Sequence, residues 1–159
     1  MMLWMNILSS ILGIKVDIRG IPDQSANLFV SNHVTYLDII IINKLLPVNF
    51  IAKEEISSWP VIGRLASKTG TLFIKRGDNV ESTKMIYEME ERFKLQNKIV
   101  FFPEGKIGNG KRVRKFHYKL FKSIENKELY IQPIAIRYPT GYPINNNYSE
   151  IISDKSLKG

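Results

Sequence analysis

A histidine and an aspartate five positions apart, His33 and Asp38, carry the strongest chemical signal of this chain. Both belong to the segment NHVTYLD, which lies between an apolar run of strand length and an apolar stretch of helical length. A carboxylate on one imidazole nitrogen fixes the tautomer and leaves the other nitrogen able to accept a proton near neutral pH. Five positions along a regular helix point to different faces. The spacing therefore predicts a general base only if His33 lies in the turn before the helix and Asp38 in its first turn.

The same segment has a second interpretation that involves no catalysis. Thr35 and Asp38 form the pattern T-x-x-D, which is typical of a capping box at a helix N-terminus. On this interpretation Asp38 caps the helix and His33 is an ordinary loop residue. The two-residue pattern alone favours the cap, and the sequence leaves both interpretations open.

Two further segments place polar residues at the ends of expected strands. The segment GTLFIKR, residues 70–76, ends in two cations, and Arg76 could grip a phosphate through two parallel hydrogen bonds. The segment FFPEG, residues 101–105, predicts a strand followed by a turn that presents Glu104. In open α/β sheets, ligands bind at the carboxyl ends of the strands, so Arg76 and Glu104 are expected at one edge. The simpler alternatives are solvated cations and a polar turn residue.

Composition limits the classes of protein that fit. The chain has 159 residues, of which 44% are apolar and 24% charged, as in a soluble protein with one domain. It contains no cysteine, which excludes disulfides, thiolate metal sites and a cysteine nucleophile. Only two histidines are present, so a histidine-rich metal site is not expected either.

The basic residues are unevenly distributed. The formal net charge is +8, and residues 105–124 contain seven basic side chains and no acidic one. This basic run could attract phosphates, anionic lipid or an acidic protein, or could simply be a solvated face. It overlaps GKIGNGKR, residues 105–112, which approaches a phosphate loop but lacks the hydroxyl that holds magnesium, so nucleotide hydrolysis is rejected. Basic and aromatic residues alternate over 114–121, yet no nucleic-acid fold motif accompanies them.

Apolar runs of strand length alternate with helical patterns along the chain. Strands are predicted at 15–19 (an edge strand), 27–31, 49–52, 71–75, 99–102 and 130–136. Helices are predicted at 37–46, 60–68, 80–95 and 116–124. This alternation predicts an α/β fold with a largely parallel central sheet flanked by helices.

The first 14 residues predict an amphipathic helix, which is too short to span a membrane. It could lie in a membrane interface or pack against the core, and the sequence does not decide between them. We expect three parts: this helix at 1–14, the main domain at 15–139, and a polar, truncated C-terminal tail at 140–159.

The order of the segments HVTYLD, GTLFIKR and FPEG, followed by a strand containing Pro133, resembles the lysophospholipid and glycerolipid acyltransferase family, typified by 1-acylglycerol-3-phosphate acyltransferase. The similarity covers roughly residues 18–138 and includes FIAKEEISSWPVIG, VRKFHYKLFK and IQPIAIRY. Within the family, WPVIG and IQPIAI look closest to the branch that contains lyso-ornithine lipid acyltransferases.

The resemblance implies roles for particular residues. His33 would be the general base and Asp38 its orienting partner. The acceptor and acyl site would include seven more residues: Gly70, Phe73, Arg76, Glu104, Gly105, Lys106 and Pro133. The family usually has threonine and then a basic residue after FPEG, whereas Lys106 and Ile107 follow here. Lys106 could still supply a cation for phosphate.

The resemblance also implies the reaction and its setting. An acyl chain would pass from acyl-CoA or acyl-carrier protein to a lysolipid hydroxyl, without an acyl-enzyme, a metal or a bound cofactor. Backbone N–H groups at the start of the helix after His33 would stabilise the oxyanion. The protein would be peripheral or monotopic at the cytoplasmic face of a membrane with anionic lipid, and nucleic acid is not an expected partner. The alternative is a truncated, non-catalytic, lipid-binding relative.

Overall fold

The computed structural model describes residues 2–75, 79–108, 112–125 and 127–138. Five strands form one sheet: β1 (Ala26–Ser31), β2 (Asn49–Lys53), β3 (Leu72–Ile74), β4 (Ile99–Phe101) and β5 (Tyr130–Ile134). The helices are α1 (Met2–Ile11), α2 (Leu37–Leu45), α3 (Ile62–Lys68) and α4 (Asn79–Lys94), with 3-10 helices at Glu54–Ser58 and Lys119–Ile124.

The sheet is parallel throughout, in the order β3-β2-β4-β1-β5. Because all strands point the same way, every strand-to-helix loop leaves from one edge, which we call the carboxyl edge. The loop after β1, which contains His33, lies at this edge, as does the loop after β4, which contains Glu104. The α/β fold with a parallel central sheet is thus confirmed.

Two apolar clusters cover the two faces of the sheet. On one face, Met85, Met89 and Phe93 of α4 are buried against β1, β3 and β4. Their spacing of four residues places them on one side of the helix, so all three side chains can face the sheet together. On the other face, Ile42 of α2 joins a cluster that includes Phe29 and Phe50. Burial on both faces is typical of parallel strands.

Two predicted elements differ from the structure. The edge strand expected at 15–19 has no regular secondary structure, since no strand of the sheet pairs with it. Alternating polarity alone does not make a strand, because the backbone N–H and C=O groups also need a neighbouring strand to bond with. The helix expected at 116–124 is a 3-10 helix that begins only at Lys119.

Helix α1 is confirmed as a helix and packs in part against α2. Ile7, Leu8, Ile11 and Leu12 nevertheless remain exposed at or just after it. No helix in the described part of the chain is both long and apolar enough to cross a bilayer. The expected C-terminal tail, 140–159, lies outside the described residues.

Candidate active site

The loop between β1 and α2 brings His33 and Asp38 together. His33 is the second residue after β1, and Asp38 is the second residue of α2. His33 Nδ1 lies 2.8 Å from Asp38 Oδ2. The turn therefore supplies the geometry that a regular helix could not, and this spacing makes Nε2 the nitrogen available for proton transfer.

Asp38 also serves the helix end. Its side chain is completely buried, and Oδ2 accepts hydrogen bonds from the backbone N–H of Val34 (2.7 Å) and Thr35 (3.1 Å). The bond from Thr35 is the one expected of a capping box. The reciprocal bond of a capping box does not form, because Asp38 N–H donates to the Thr35 carbonyl oxygen and not to its hydroxyl. One carboxylate therefore orients His33 and also provides the carboxylate half of the box. These donors offset the cost of burying its charge.

The same bonds bear on the expected oxyanion site. The backbone N–H groups of Val34 and Thr35, just before α2, donate to the Asp38 carboxylate and so are not free to bind an oxyanion. An oxyanion site formed by backbone N–H groups near the start of α2 stays a prediction.

One face of the His33 imidazole packs against an aromatic ring. It stacks on Phe102 with ring centroids 3.9 Å apart and an interplanar angle of 11°. Its side chain is only 12% exposed. Nε2 has no hydrogen-bond partner in the part of the chain that the structure describes. An imidazole fixed in this way can accept a proton from a hydroxyl that reaches Nε2.

Glu104 joins the loop after β4 to the His33 loop. Its buried carboxylate accepts hydrogen bonds from the backbone N–H of His33 (3.1 Å) and of Arg114 (2.8 Å). Gly105 follows at φ +71°, a conformation that favours glycine, and its N–H donates to Phe102 O. Gly108 N–H in turn donates to the carbonyl oxygen of His33. Glu104 is thus a structural clamp as well as a lining residue.

A cavity of about 150 Å³ lies beside the imidazole. Its lining comprises Asn32, His33, Val34, Glu104, Gly108, Arg112 and Val113. Arg112 was counted in the basic run but not as a site residue, because nothing in its spacing shows that it returns to His33. Lys106, which was expected at the site, is exposed and is not part of this lining.

Three of the other expected site residues, Gly70, Phe73 and Pro133, do not line this cavity. Gly70 lies before the start of β3, at the opposite edge of the sheet from His33. Phe73 pairs in register with Ala52 and shares its sheet face with Phe50, on the α2 side. Pro133 is exposed in the middle of the edge strand β5, where a missing N–H is tolerated. The prediction for Arg76 lies outside the described residues.

Tyr138 is the site residue that the sequence analysis missed. Its hydroxyl donates a 2.6 Å hydrogen bond to Asp38 Oδ1. Burial first, and then the negative charge of Asp38 and this hydrogen bond, raise the pKa of Tyr138 far above its ordinary value of 10.0. The hydroxyl is therefore a donor throughout the physiological pH range. A lone tyrosine 100 positions after Asp38 carries no sequence signal of this contact.

Comparison with known proteins identifies the family. The family model described as Acyltransferase matches residues 14–137. The lyso-ornithine lipid O-acyltransferase of Pseudomonas aeruginosa is 36% identical over 135 residues, which are 85% of this chain and 52% of that protein. The 1-acyl-sn-glycerol-3-phosphate acyltransferase of Neisseria gonorrhoeae is 32% identical over 128 residues, or 80% of this chain and 50% of the relative.

A solved structure shares the fold. The crystal structure of the 1-acyl-sn-glycerophosphate (LPA) acyltransferase PlsC from Thermotoga maritima aligns with a TM-score of 0.64 at 20% identity. The alignment covers 82% of this chain and 53% of that one. The chain thus spans about half the length of the relatives it matches. With a family model matched across most of its length, this chain belongs to the acyltransferase family.

Proposed function

We propose that this protein transfers a fatty acyl chain from a thioester donor, acyl-CoA or acyl-carrier protein, to a hydroxyl of a lysolipid. The observation that carries the proposal is the contact between His33 Nδ1 and the buried Asp38 carboxylate, beside a cavity. The lysolipid class is supported by the relatives, whose names specify lyso-ornithine lipid and 1-acyl-sn-glycerol-3-phosphate as acceptors.

In this mechanism the acceptor hydroxyl donates its proton to His33 Nε2 while its oxygen attacks the thioester carbonyl carbon. Asp38 holds the Nδ1 proton and stabilises the imidazolium that forms. The tetrahedral intermediate then collapses, the C–S bond breaks, and the thiolate takes the proton from Nε2. The product is an ester, and the released thiol balances the reaction.

The positive charge of Arg112 gives the cavity a favourable potential for an oxyanion or an acidic headgroup. Phe73, Arg76, Glu104 and Gly105 remain our candidates for the acceptor site, with Lys106 as a further cation for phosphate. Pro133 remains a candidate for a position near the acyl channel.

We further propose that the protein works on the cytoplasmic face of a membrane, as a peripheral or monotopic protein. Helix α1 leaves Ile7, Leu8 and Ile11 exposed, which suits burial at the boundary of headgroups and acyl chains. The basic run would be attracted to the anionic lipid of that leaflet. The same charge could attract an acidic acyl-carrier protein.

The test is an acyl-transfer assay with radiolabelled acyl-CoA and acyl-carrier protein against a panel of lysolipids in vesicles. We expect His33→Ala and Asp38→Asn each to lower turnover by about 10²–10⁴, the usual contribution of a positioned base. His117→Ala and Asp17→Asn are the matched controls, because both residues are exposed and neither lines the cavity.

Two outcomes would contradict the proposal. Turnover of His33→Ala equal to that of the wild type would remove His33 from the mechanism. Binding to vesicles without consumption of either thioester would instead identify a non-catalytic, lipid-binding relative. Circular dichroism of each variant separates loss of activity from loss of folding.

A further inference from the structure

We propose that Tyr138 is a positioning residue for the reaction: its hydroxyl holds the Asp38 carboxylate so that His33 Nε2 stays aimed into the cavity. The inference rests on the proposed function, because it assigns Tyr138 a role through the same general base. Tyr138 does not contact the acceptor in this proposal. It acts on Asp38, and Asp38 acts on His33.

The hydrogen bonds of Asp38 divide unevenly between its two oxygens. Oδ2 accepts three, from His33 Nδ1 and from the backbone of Val34 and Thr35. Among the described residues, Tyr138 is the one donor to Oδ1. Both oxygens lie off the Cβ–Cγ axis, so a hydrogen bond to either one restrains rotation of the carboxylate. The Tyr138 hydroxyl adds the restraint on the Oδ1 side and so helps to hold the direction in which Oδ2 meets His33.

The end of β5 is tied to the end of β1, and this brings Tyr138 over α2. The two strands pair in parallel register, with Ser31 opposite Ile134. One residue past β1, the Asn32 side chain accepts a hydrogen bond from Ile136 N–H (2.7 Å) and donates one to Ile136 O (2.9 Å). This double contact extends the pairing beyond the sheet. Tyr138 follows two residues later and reaches Asp38.

Several charged or titratable groups face the pair. Glu104 accepts from the backbone of His33, Arg112 lines the cavity, and the Tyr36 ring lies edge-on to the imidazole at 6.4 Å. Tyr138 bonds the Asp38 side chain directly. Loss of its hydroxyl leaves a more basic carboxylate, which holds the proton on His33 more tightly. Neutral imidazole, the form that acts as base, then appears only at higher pH.

We expect Tyr138→Phe to lower kcat by roughly ten- to a hundredfold, which is the effect of losing one hydrogen bond to a charged group. KM for the thioester changes little, because Tyr138 touches neither substrate. The acid limb of the pH–kcat profile moves to higher pH, which a purely structural role would not cause. Tyr130→Phe is the matched control, since Tyr130 begins β5, the strand that precedes Tyr138, and its side chain is exposed.

A second readout does not depend on turnover. Imidazole ¹⁵N NMR of the full chain should show His33 as a single tautomer with the proton on Nδ1, and Tyr138→Phe should broaden or mix the tautomers. The signal of His117 serves as the internal reference. If no variant or wild type turns over substrate, the proposed function fails while this measurement still tests the positioning of His33.

A fluorinated tyrosine tests the same contact in a protein that keeps the whole side chain, in case Tyr138→Phe does not fold. 3-Fluorotyrosine at position 138 keeps the ring and the hydroxyl but is a stronger donor, so the acid limb should move to lower pH. An unchanged pH profile and an unchanged His33 tautomer in both Tyr138→Phe and the fluorinated protein would overturn the proposal. Opposite shifts in the two proteins would support it.

Discussion

The imidazole of His33 lies nearly parallel to the phenyl ring of Phe102, with centroids 3.9 Å apart. Phe102 is the first residue after β4, and its ring also stacks near Phe50 at 6.1 Å. The hydrophobic core of the α2 face therefore extends up to the proposed base. The hydrogen bond from His33 Nδ1 to Asp38 fixes one nitrogen of the imidazole, and the flat contact with Phe102 restricts the tilt of the ring.

Phe102→Leu tests this contact. Leucine keeps most of the apolar surface but has no flat ring on which the imidazole can stack. We therefore expect kcat to fall by about tenfold, because His33 is less well oriented. We expect Phe121→Leu to lose comparable stability with little loss of kcat, because Phe121 pairs with Phe101 on the other face of the sheet. Steady-state kinetics and urea unfolding of both variants provide the comparison. Equal kcat values for the two would show that the stacking does not orient His33.

Glu104→Gln tests the clamp between the two loops. Both carboxylate oxygens accept backbone hydrogen bonds, so the glutamine NH₂ must face the N–H of His33 or of Arg114. A buried donor facing another donor costs about 1–3 kcal/mol of the free energy of unfolding. We expect this loss in urea unfolding, together with reduced turnover because the His33 loop shifts.

Glu55→Gln is the control for that experiment, since Glu55 is exposed in the 3-10 helix after β2. The two substitutions are chemically identical and differ only in burial and partners. If both unfold at the same urea concentration, the two backbone contacts of Glu104 contribute nothing to stability.

Most of the fold followed from the sequence, because buried parallel strands have a strong local pattern. The strand expected at 27–31 appears at Ala26–Ser31, and the helix expected at 80–95 appears at Asn79–Lys94. Residues 15–19 and 116–118 have no regular secondary structure. The strand expected at 15–19 lacks a partner, and pairing is a long-range property that local patterns do not contain.

The site was predictable only in part, for the same physical reason. The contact between His33 and Asp38 is local and depends on one turn, so its spacing could be interpreted correctly. Arg112 and Tyr138 reach the site through a loop and through the pairing of β5 with β1. Their side chains have no pattern of their own in the sequence. Only the topology of the sheet brings them to Asp38 and His33.

Gly70→Ala distinguishes a structural glycine from one that binds substrate. Gly70 has φ +77°, and an added Cβ would overlap the Asn49 side chain, which is hydrogen-bonded to Thr69 O. We expect a loss of about 2–4 kcal/mol in the free energy of unfolding, from backbone strain and overpacking together. The KM of the folded variant for the lysolipid should not change, because Gly70 lies at the edge of the sheet opposite His33.

Gly20→Ala isolates the backbone part of that loss. Gly20 also has a positive φ, +96°, but nothing lies within 4 Å of an added Cβ. Its substitution should cost about 1–2 kcal/mol, the strain alone. A raised KM for the lysolipid in Gly70→Ala at wild-type stability would instead assign Gly70 to the acceptor site.

The raised pKa of Tyr138 predicts how stability changes in alkali. In the unfolded chain this hydroxyl loses its proton near its ordinary pKa of 10.0, whereas in the folded protein burial and Asp38 keep it protonated. The unfolded state therefore binds fewer protons above that pH, so the free energy of unfolding falls as pH rises. The contribution is fully present below pH 10.0 and is lost progressively above it. Its slope is at most about 1.4 kcal/mol per pH unit, reduced by solvent at the partly exposed ring.

Comparison with Tyr138→Phe isolates this effect from the titration of lysines and the exposed tyrosines. Urea unfolding between pH 8 and pH 11 should show a steeper alkaline loss for the wild type than for Tyr138→Phe. The two curves should therefore converge as pH rises, because the variant has no hydroxyl to titrate. Parallel curves would mean that the Tyr138 hydroxyl ionises equally easily in the folded and unfolded states. The hydrogen bond to Asp38 Oδ1 would then make no pH-dependent contribution to the free energy of unfolding.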